Sequence, residues 1–365
     1  MLQKRAAVSV SRRDFLAGAG QLAGLALSGG MPAVLSGCAS IEADPELIRI
    51  VGSMIGVDIH SHAGGVHFRS MPDIDLAGRM RQGHMTAVCL GHTGDGPVIR
   101  RAADGRTITS REPGPGELWR HTEARLDFFD GMVRSQGLRR ALQRGGLEQA
   151  HRDRAPAIVQ MIEGCQFLEG RLERIAEVHR RGVRQLQLLH FLRSDLGDIQ
   201  TDPPEQRGLT ALGREVIAEC NRLGMVVDTA HGTMQFVEQA AKASRTPLLL
   251  SHTHLTPRPG PLSRLVSREH AKLIALTGGV VGIWGIATPS ESLSHLTDRV
   301  SRAVDAVGMD HVGLGSDVGG AAHNIWSDYA SFPQIVRSLR QKGFSVEDIA
   351  KIAGGNYVRV FNASC

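Results

Sequence analysis

Cysteine is scarce, and its spacing carries no pairing pattern. The 365-residue chain has five, an odd number with no CxxC, which argues against both a disulfide framework and a zinc ribbon. No apolar run after Cys38 approaches the roughly 18 residues that a spanning helix needs, so a multi-span membrane protein is excluded. An excess of one charge is missing too. The formal net charge is +5, but Lys4, Arg5, Arg12 and Arg13 against Asp14 place +3 of it in residues 1–37 and leave +2 for the rest. That balance gives no case for a nucleic-acid partner. Aromatic residues are few (4%), whereas 43 glycines point to many tight turns. With 42% hydrophobic and 22% charged residues, the composition also excludes a disordered tail, a coiled coil and a collagen-like fibre.

What is present begins with an export signal. Ser11-Arg12-Arg13-Asp14-Phe15-Leu16 precedes an apolar Gly/Ala/Leu-rich stretch from Leu16 to about Leu35, the layout of a secretory leader. The adjacent arginines followed by Phe-Leu resemble a twin-arginine signal. The stretch closes on Leu35-Ser36-Gly37-Cys38, which resembles a bacterial lipobox. Residues 1–37 are therefore expected to be a twin-arginine lipoprotein signal peptide. Cys38 would be the lipidated residue that ties the exported, periplasmic protein to the membrane. Ala39 rather than aspartate follows it, which in a Gram-negative host directs the protein to the outer membrane. An uncleaved N-terminal anchor is the alternative. Cys89, Cys165 and Cys220 lie in or beside apolar segments and read as buried small hydrophobes.

Residues 38–365 alternate short apolar bursts with longer amphipathic stretches. The bursts are Gly56–His60, Met85–Leu90, Ala157–Ile162, Val183–Leu189, Met225–Asp228, Pro247–Leu250, Gly279–Ile283 and His311–Leu314. Short, near-continuous runs rich in Val, Ile and Leu suit parallel strands covered on both faces. Helical patterns fall between them, at Leu172–Arg181, Leu212–Leu223, Met234–Ala243, Arg268–Leu276 and Leu296–Val307, and Gly182, Gly224 and Gly308 stand where a left-handed C-cap is expected. Eight such units, with no GxGxxG after the first strand, predict an α/β fold, a (β/α)8 TIM barrel. The long interval between strands two and three predicts an insertion over about residues 93–155. It contains a Gly/Pro-rich turn at Pro113–Gly116 and a basic helical segment, Arg120–Arg154, expected to be a solvated face.

Polar residues stand at the ends of these strands. Strand one ends His60-Ser61-His62, and residues two apart on a strand face the same way, so both imidazoles can point at one spot. Strand three ends in Glu163, strand four at His190, strand five at His231, strand six at His252 and strand eight at Gly315-Ser316-Asp317. Five imidazoles and two carboxylates at one end of a barrel would each cost a few kcal/mol to bury without partners, and a metal centre resolves that cost. The donor set lacks thiolate and suits zinc, with manganese, iron or cobalt as alternatives. It also exceeds one tetrahedral site, so two Zn2+ ions bridged by a carboxylate are expected, clamping a water as nucleophile. His92, His254 and Trp284 are read as pocket walls.

From about Ile48 to Phe361 the chain resembles the membrane (renal) dipeptidase family, a branch of the amidohydrolase-type metal-dependent barrels. The resemblance rests on Asp58-Ile59-His60, Ile162-Glu163-Gly164, Leu189-His190, Asp228-Thr229-Ala230-His231, Leu250-Ser251-His252, Gly315-Ser316-Asp317 and Gly354-Gly355-Asn356-Tyr357. It implies that His60 binds the first zinc, Glu163 bridges both, and His231 and His252 bind the second. By the same resemblance, His190 polarises the scissile carbonyl, Arg264 receives the terminal carboxylate of a dipeptide substrate, and Asp317 moves the proton to the leaving amine. Family members are often dimers, so a homodimer is also implied. One departure stands out: the family usually has His-x-Asp on strand one, where this chain has His62. Two other readings stay open, an amidohydrolase acting on a non-peptide amide or lactone, and a non-hydrolytic envelope protein that binds or matures a metabolite.

Overall fold

The chain divides into two units, Met1–Ser40 and Ile41–Cys365. The computed structural model describes residues 44–63, 74–321 and 323–365; the expected signal segment and Cys38 lie outside them. Each apolar burst of the sequence forms a buried strand: β1 (Val57–Ser61), β2 (Ala87–Thr93), β3 (Ala157–Glu163), β4 (Val183–Gln187), β5 (Val226–Asp228), β6 (Leu249–Thr253), β7 (Val280–Ile283) and β8 (Val312–Leu314). Neighbours pair in parallel in chain order from β1 to β8. Beyond the end of β8 the chain returns to β1. Asp317 donates its N–H to the His60 carbonyl at 2.9 Å, and His62 donates to the Val318 carbonyl at 2.8 Å. These two bonds close the barrel seam at the end where the polar residues gather.

The helices form where an apolar stripe meets a cap. Thr210 caps α6 (Ala211–Leu223), Thr233 caps α7 (Met234–Ala243) and Ser267 caps α8 (Arg268–Leu276), each accepting an N–H of the first turn. Such caps contribute about 1 kcal/mol apiece. The faces of these helices turned to the sheet bury Val216, Ile217, Phe236, Val237, Ala271 and Ile274. Helix α1 (Pro45–Gly52) precedes β1, and the other helices between strands are α2 (Leu76–Gln82), α3 (Glu117–Gln136), α4 (Gly146–Arg152), α5 (Glu173–Arg180) and α9 (Leu293–Val307). After β8 come α10 (Phe332–Gln341), α11 (Val346–Ala350) and α12 (Asn356–Ser364). From α12, Tyr357 donates to Gln185 Oε1 at 2.8 Å, pinning the last helix to the barrel strands.

Two local expectations need correction. Gly224 caps α6 in the left-handed conformation as expected, but Gly308 has φ 87° and ψ 160°, an extended exit that turns the chain directly toward β8. The basic segment between β2 and β3 does present an exposed helical face, on α3, but it is not one helix. It holds α3, a two-residue strand at Arg139–Arg140 that pairs with β3, and α4, and several of its arginines are engaged. Arg140 pairs with Asp130, Arg139 with Asp153, and the Arg125 guanidinium lies 4.5 Å from the Phe128 ring centre. Ahead of α3 the same interval forms a hairpin, Ile99–Arg101 with Thr107–Thr109, that the sequence did not announce. Cys89, Cys165 and Cys220 are buried free thiols, as their apolar surroundings suggested.

Candidate metal centre

The strand ends converge. Alternation on β1 puts Ser61 on one side, within 2.6 Å of the Tyr329 hydroxyl, and His60 and His62 on the other, with their Nε2 atoms 3.2 Å apart. Glu163 ends β3, and its two oxygens divide the site. Oε1 lies 3.2 Å from His231 Nε2 and 3.4 Å from His252 Nε2, while Oε2 lies 3.0 Å from His62 Nε2 and 3.5 Å from His190 Nε2. His231 and His252 are themselves 3.2 Å apart through Nε2. Asp317 Oδ1 completes the cluster, 3.7 Å from His62 and 4.0 Å from His60. All seven predicted imidazoles and carboxylates therefore meet. Only His60, Glu163 and His252 sit on strands; His62 stands one residue past β1, and His190, His231 and Asp317 stand three residues past the ends of β4, β5 and β8.

Holding them there requires unusual backbone. His231 (φ 70°) and Asp317 (φ 57°) occupy the left-handed region that non-glycine residues avoid, at about 1 kcal/mol or more each. The Gln200 N–H to the His231 carbonyl (2.7 Å) and the seam bond of Asp317 secure both turns. Ring orientation is set from behind. Ser251 Oγ lies 3.0 Å from His60 Nδ1 and 2.9 Å from His252 Nδ1, and His62 Nδ1 lies 3.0 Å from the Gly91 carbonyl. An Nδ1–H spent on an oxygen leaves the Nε2 lone pair facing the cluster, the tautomer a metal ligand needs. A Cβ on Gly282 or Gly315 would collide with the Ser251 carbonyl, so only glycine lets β7 and β8 approach this serine. Gln187 Nε2 donates to Glu163 Oε1 at 2.9 Å and fixes the carboxylate plane.

The donor set fits divalent cations. Ligands held at about 2.0–2.2 Å in a tetrahedron stand about 3.3–3.6 Å from one another. The separations within His231, His252 and Glu163 Oε1 are close to that spacing, as are those of His62 from Glu163 Oε2 and from His60, while His60 Nε2 lies 3.7 Å from Glu163 Oε1. Three overlapping triads (His60/Glu163/His252, His60/His62/Asp317 and Glu163/His190/His231) have their donor atoms within 4.8 Å. Burial drives His60 down to about 4 and holds His231 and His252 well below the ordinary histidine value, so these three are neutral imidazoles, the form that can hold a metal. Burial also opposes the ionisation of Glu163, but the charge of His190, with the neighbouring imidazoles, holds it well below the carboxylate range. At His62 burial is outweighed by the Glu163 hydrogen bond and charge and by Asp317, raising it to about 9. Burial raises Asp317 to about 7, with Glu163 repelling its charge while His62 and Arg264 favour it.

Above the cluster lies a cavity of about 430 Å³. Arg264 lines it, donating to Gln200 Oε1 at 2.5 Å and to His252 Nε2 at 3.0 Å, with its guanidinium 5.8 Å from the Trp284 ring centre. The hairpin leans over the mouth: Arg101 donates to the Gly320 carbonyl at 2.7 Å, and the Thr109 hydroxyl to the Phe191 carbonyl at 3.3 Å. Trp284 is a wall, with its indole N–H 2.7 Å from His254 Nδ1. His92 is buried on the far side of β2, 5.8 Å from His121 and 6.1 Å from Phe129 between ring centres. Sequence reasoning missed Asp95. This buried carboxylate lies 2.6 Å from His190 Nδ1 and accepts the N–H groups of Phe191 and Leu192. Burial lowers His190, but the charges of Asp95 and Glu163 raise it above its ordinary value.

Residues 60–364 match the family described as "Membrane dipeptidase (Peptidase family M19)". Among curated proteins, the dipeptidase aclJ of Aspergillus oryzae is 29% identical over 209 residues, 54% of this chain and 49% of its own. The dipeptidase tcpJ of Claviceps purpurea is 30% identical over 190 residues, 50% and 45% of the two chains. This chain thus spans about half the length of the curated relatives it matches. A metallo peptidase of Rhodobacter sphaeroides, solved with a phosphinate mimic of the dipeptide L-Ala-D-Ala, shares the fold with a TM-score of 0.74 at 18% identity, over 86% of this chain and 99% of that one. An amidohydrolase of Pseudomonas aeruginosa does so at 0.72 and 18%, over 87% and 98%. A parallel barrel with this ordered set of strand-end imidazoles and carboxylates, matched by one family over residues 60–364, places the chain in the membrane dipeptidase family, peptidase family M19.

Proposed function

We propose that the protein is a zinc-dependent dipeptidase of the cell envelope, working through a binuclear centre. The observation that carries this reading is the division of the Glu163 carboxylate, one oxygen toward His231 and His252 and the other toward His62 beside His60. In that assignment His60, His62 and Glu163 hold one cation, and Glu163, His231 and His252 the other. When bound, the pair would polarise the peptide carbonyl and lower the pKa of a shared water.

The chain's own residues supply the rest. Arg264, buried beside Trp284, offers a guanidinium fork that matches the terminal carboxylate of a short peptide. His190, held from behind by Asp95, presents Nε2 to the carbonyl oxygen as that atom gains negative charge. Asp317 borders both the histidine cluster and the cavity, where it takes the proton of the attacking water and delivers it to the leaving amine. The hairpin and Trp284 narrow the opening so that short substrates fit. Export by the twin-arginine route, with a lipid on Cys38 holding the protein at the outer membrane, accounts for the leader pattern.

Hydrolysis of a panel of L,L and L,D dipeptides by zinc-loaded protein is the test. Turnover should vanish on chelation and return with zinc. No cleavage of any member by fully loaded protein overturns the reading. For the anchor, Cys38→Ser should release the protein from the membrane fraction.

A further inference from the structure

The second large concavity lies at the opposite end of the barrel. Thr86, Ala155 and Pro156, which line it, immediately precede β2 and β3, so it opens at the N-terminal mouth of the strands, away from the metal ligands. Its volume is about 510 Å³, larger than that of the cavity above the histidine cluster. Arg49 of α1, Arg81 of α2 and Arg154 after α4 ring it, together with His84 and His151. No carboxylate is among its lining residues.

Many of the chain's other surface arginines sit against a carboxylate. Arg79 pairs with Asp328, Arg111 with Glu117, Arg171 with Glu173 and Arg222 with Glu219. Two acids close in sequence to the hollow's arginines face other partners, Glu46 toward Arg340 and Asp153 toward Arg139. The guanidiniums of Arg49, Arg81 and Arg154 make no hydrogen bond or ion pair among the described residues. Three unpaired cations facing one hollow repel one another, and that cost persists unless an anion enters. His84 (φ 56°) and Arg154 (φ 51°) also stand in left-handed backbone at the rim, a strain that non-glycine residues rarely carry.

We infer that this basic hollow docks the phosphate of an anionic phospholipid headgroup, holding the barrel on the membrane with its metal-binding end turned away. Charge complementarity and chain length favour a lipid over a free phosphate. Cys38 precedes Asp44, the cap of α1, by six residues, at most about 22 Å of extended chain. A bilayer anchored there lies within reach of Arg49. Met85 lines the hollow behind the arginines, so the cationic rim has apolar surface behind it, as a glycerophosphate carrying acyl chains requires. The length argument rests on the anchor reading given above; the charge argument does not.

Vesicle co-sedimentation tests it, using the full-length chain carrying Cys38→Ser so that no lipid of its own holds it down. Each basic residue near an anionic surface strengthens binding about fivefold. The protein should therefore prefer vesicles containing phosphatidylglycerol over phosphatidylcholine alone. Arg49→Gln/Arg81→Gln/Arg154→Gln should weaken that binding roughly 100-fold, with an unchanged melting temperature as the folding control. Equal binding of the two forms overturns the inference. So does displacement by inorganic phosphate at constant ionic strength without any preference between the two vesicles, which would mark a soluble-phosphate site. Fractionation of cells making the unmodified chain reports on the anchor separately: a soluble chain would sink the anchor reading and leave the vesicle comparison standing.

Discussion

Replacing Asp95 by asparagine isolates the residue that orients His190. The side chain keeps its shape and an oxygen for the Phe191 and Leu192 N–H groups, which lie 3.1 and 2.9 Å from Oδ2. The charge opposite His190 Nδ1, 2.6 Å away, is lost, and the amide N–H that replaces it favours the opposite tautomer. A hydrogen bond to a charged group contributes about 1.5–3 kcal/mol. If that energy stabilises the transition state, kcat/KM for a dipeptide should fall roughly 10- to 150-fold, carried mainly by kcat. The pH profile sharpens the test. Asp95 helps raise the pKa of His190, so activity that needs the protonated ring declines as pH rises through that raised value. Without Asp95 the alkaline limb must move to lower pH. The stability linkage has the same sign: the pair's contribution is complete below the unfolded histidine value of about 6.5 and disappears above the raised one. The melting temperature of Asp95→Asn should consequently drop more at pH 6 than at pH 9. A kcat/KM within twofold of the parent, with the alkaline limb unmoved, would refute this account of His190.

Arg264→Ala should raise KM for dipeptides by roughly 30- to 150-fold, about 2–3 kcal/mol of charged hydrogen bonding, with a smaller change in kcat; steady-state kinetics on amidated and free-acid substrates would show whether the carboxylate is the group lost. Because Glu163 and Asp317 raise His62 to about 9, metal entry must displace a proton there. Zinc affinity measured by competition with a chelator should therefore climb with pH up to about 9, and His62→Asp should flatten that climb and tighten binding at pH 7. In the metal-free protein, the His62 contribution to stability is complete below about pH 6.5 and is lost as pH passes about 9. Tyr329→Phe removes the hydroxyl that donates to Asp58 Oδ2 at 2.8 Å and lies 2.6 Å from Ser61 Oγ; chemical denaturation should show a loss of about 1–3 kcal/mol.

The barrel was readable because its information is local and repeated. Each apolar burst is a strand, and the residue that follows it reaches the metal-binding end whatever the remaining chain does. The clustering of His60, His62, Glu163, His190, His231, His252 and Asp317 follows from that repetition. Asp95 was not readable. It lies in a loop two residues past β2, and its meaning comes only from His190, 95 residues later, which no periodicity links to it. Ser251 is a similar case. It sits inside a recognised motif, yet its work of holding two rings at once appears only when β1 and β6 face each other across the barrel. The hairpin over the mouth escaped notice because three-residue strands are too short to show alternation. Gly308 misled because a glycine after a helix marks a positive φ without fixing ψ.

The bonds between Asp317 N–H and the His60 carbonyl and between His62 N–H and the Val318 carbonyl make a ligand-bearing strand one half of the barrel's zipper. Any breathing that unzips it also pulls the first pair of imidazoles away from the acid opposite. Cation release and the first step of unfolding should then share a single opening event, and slow amide exchange at positions 62 and 317 would keep time with metal loss.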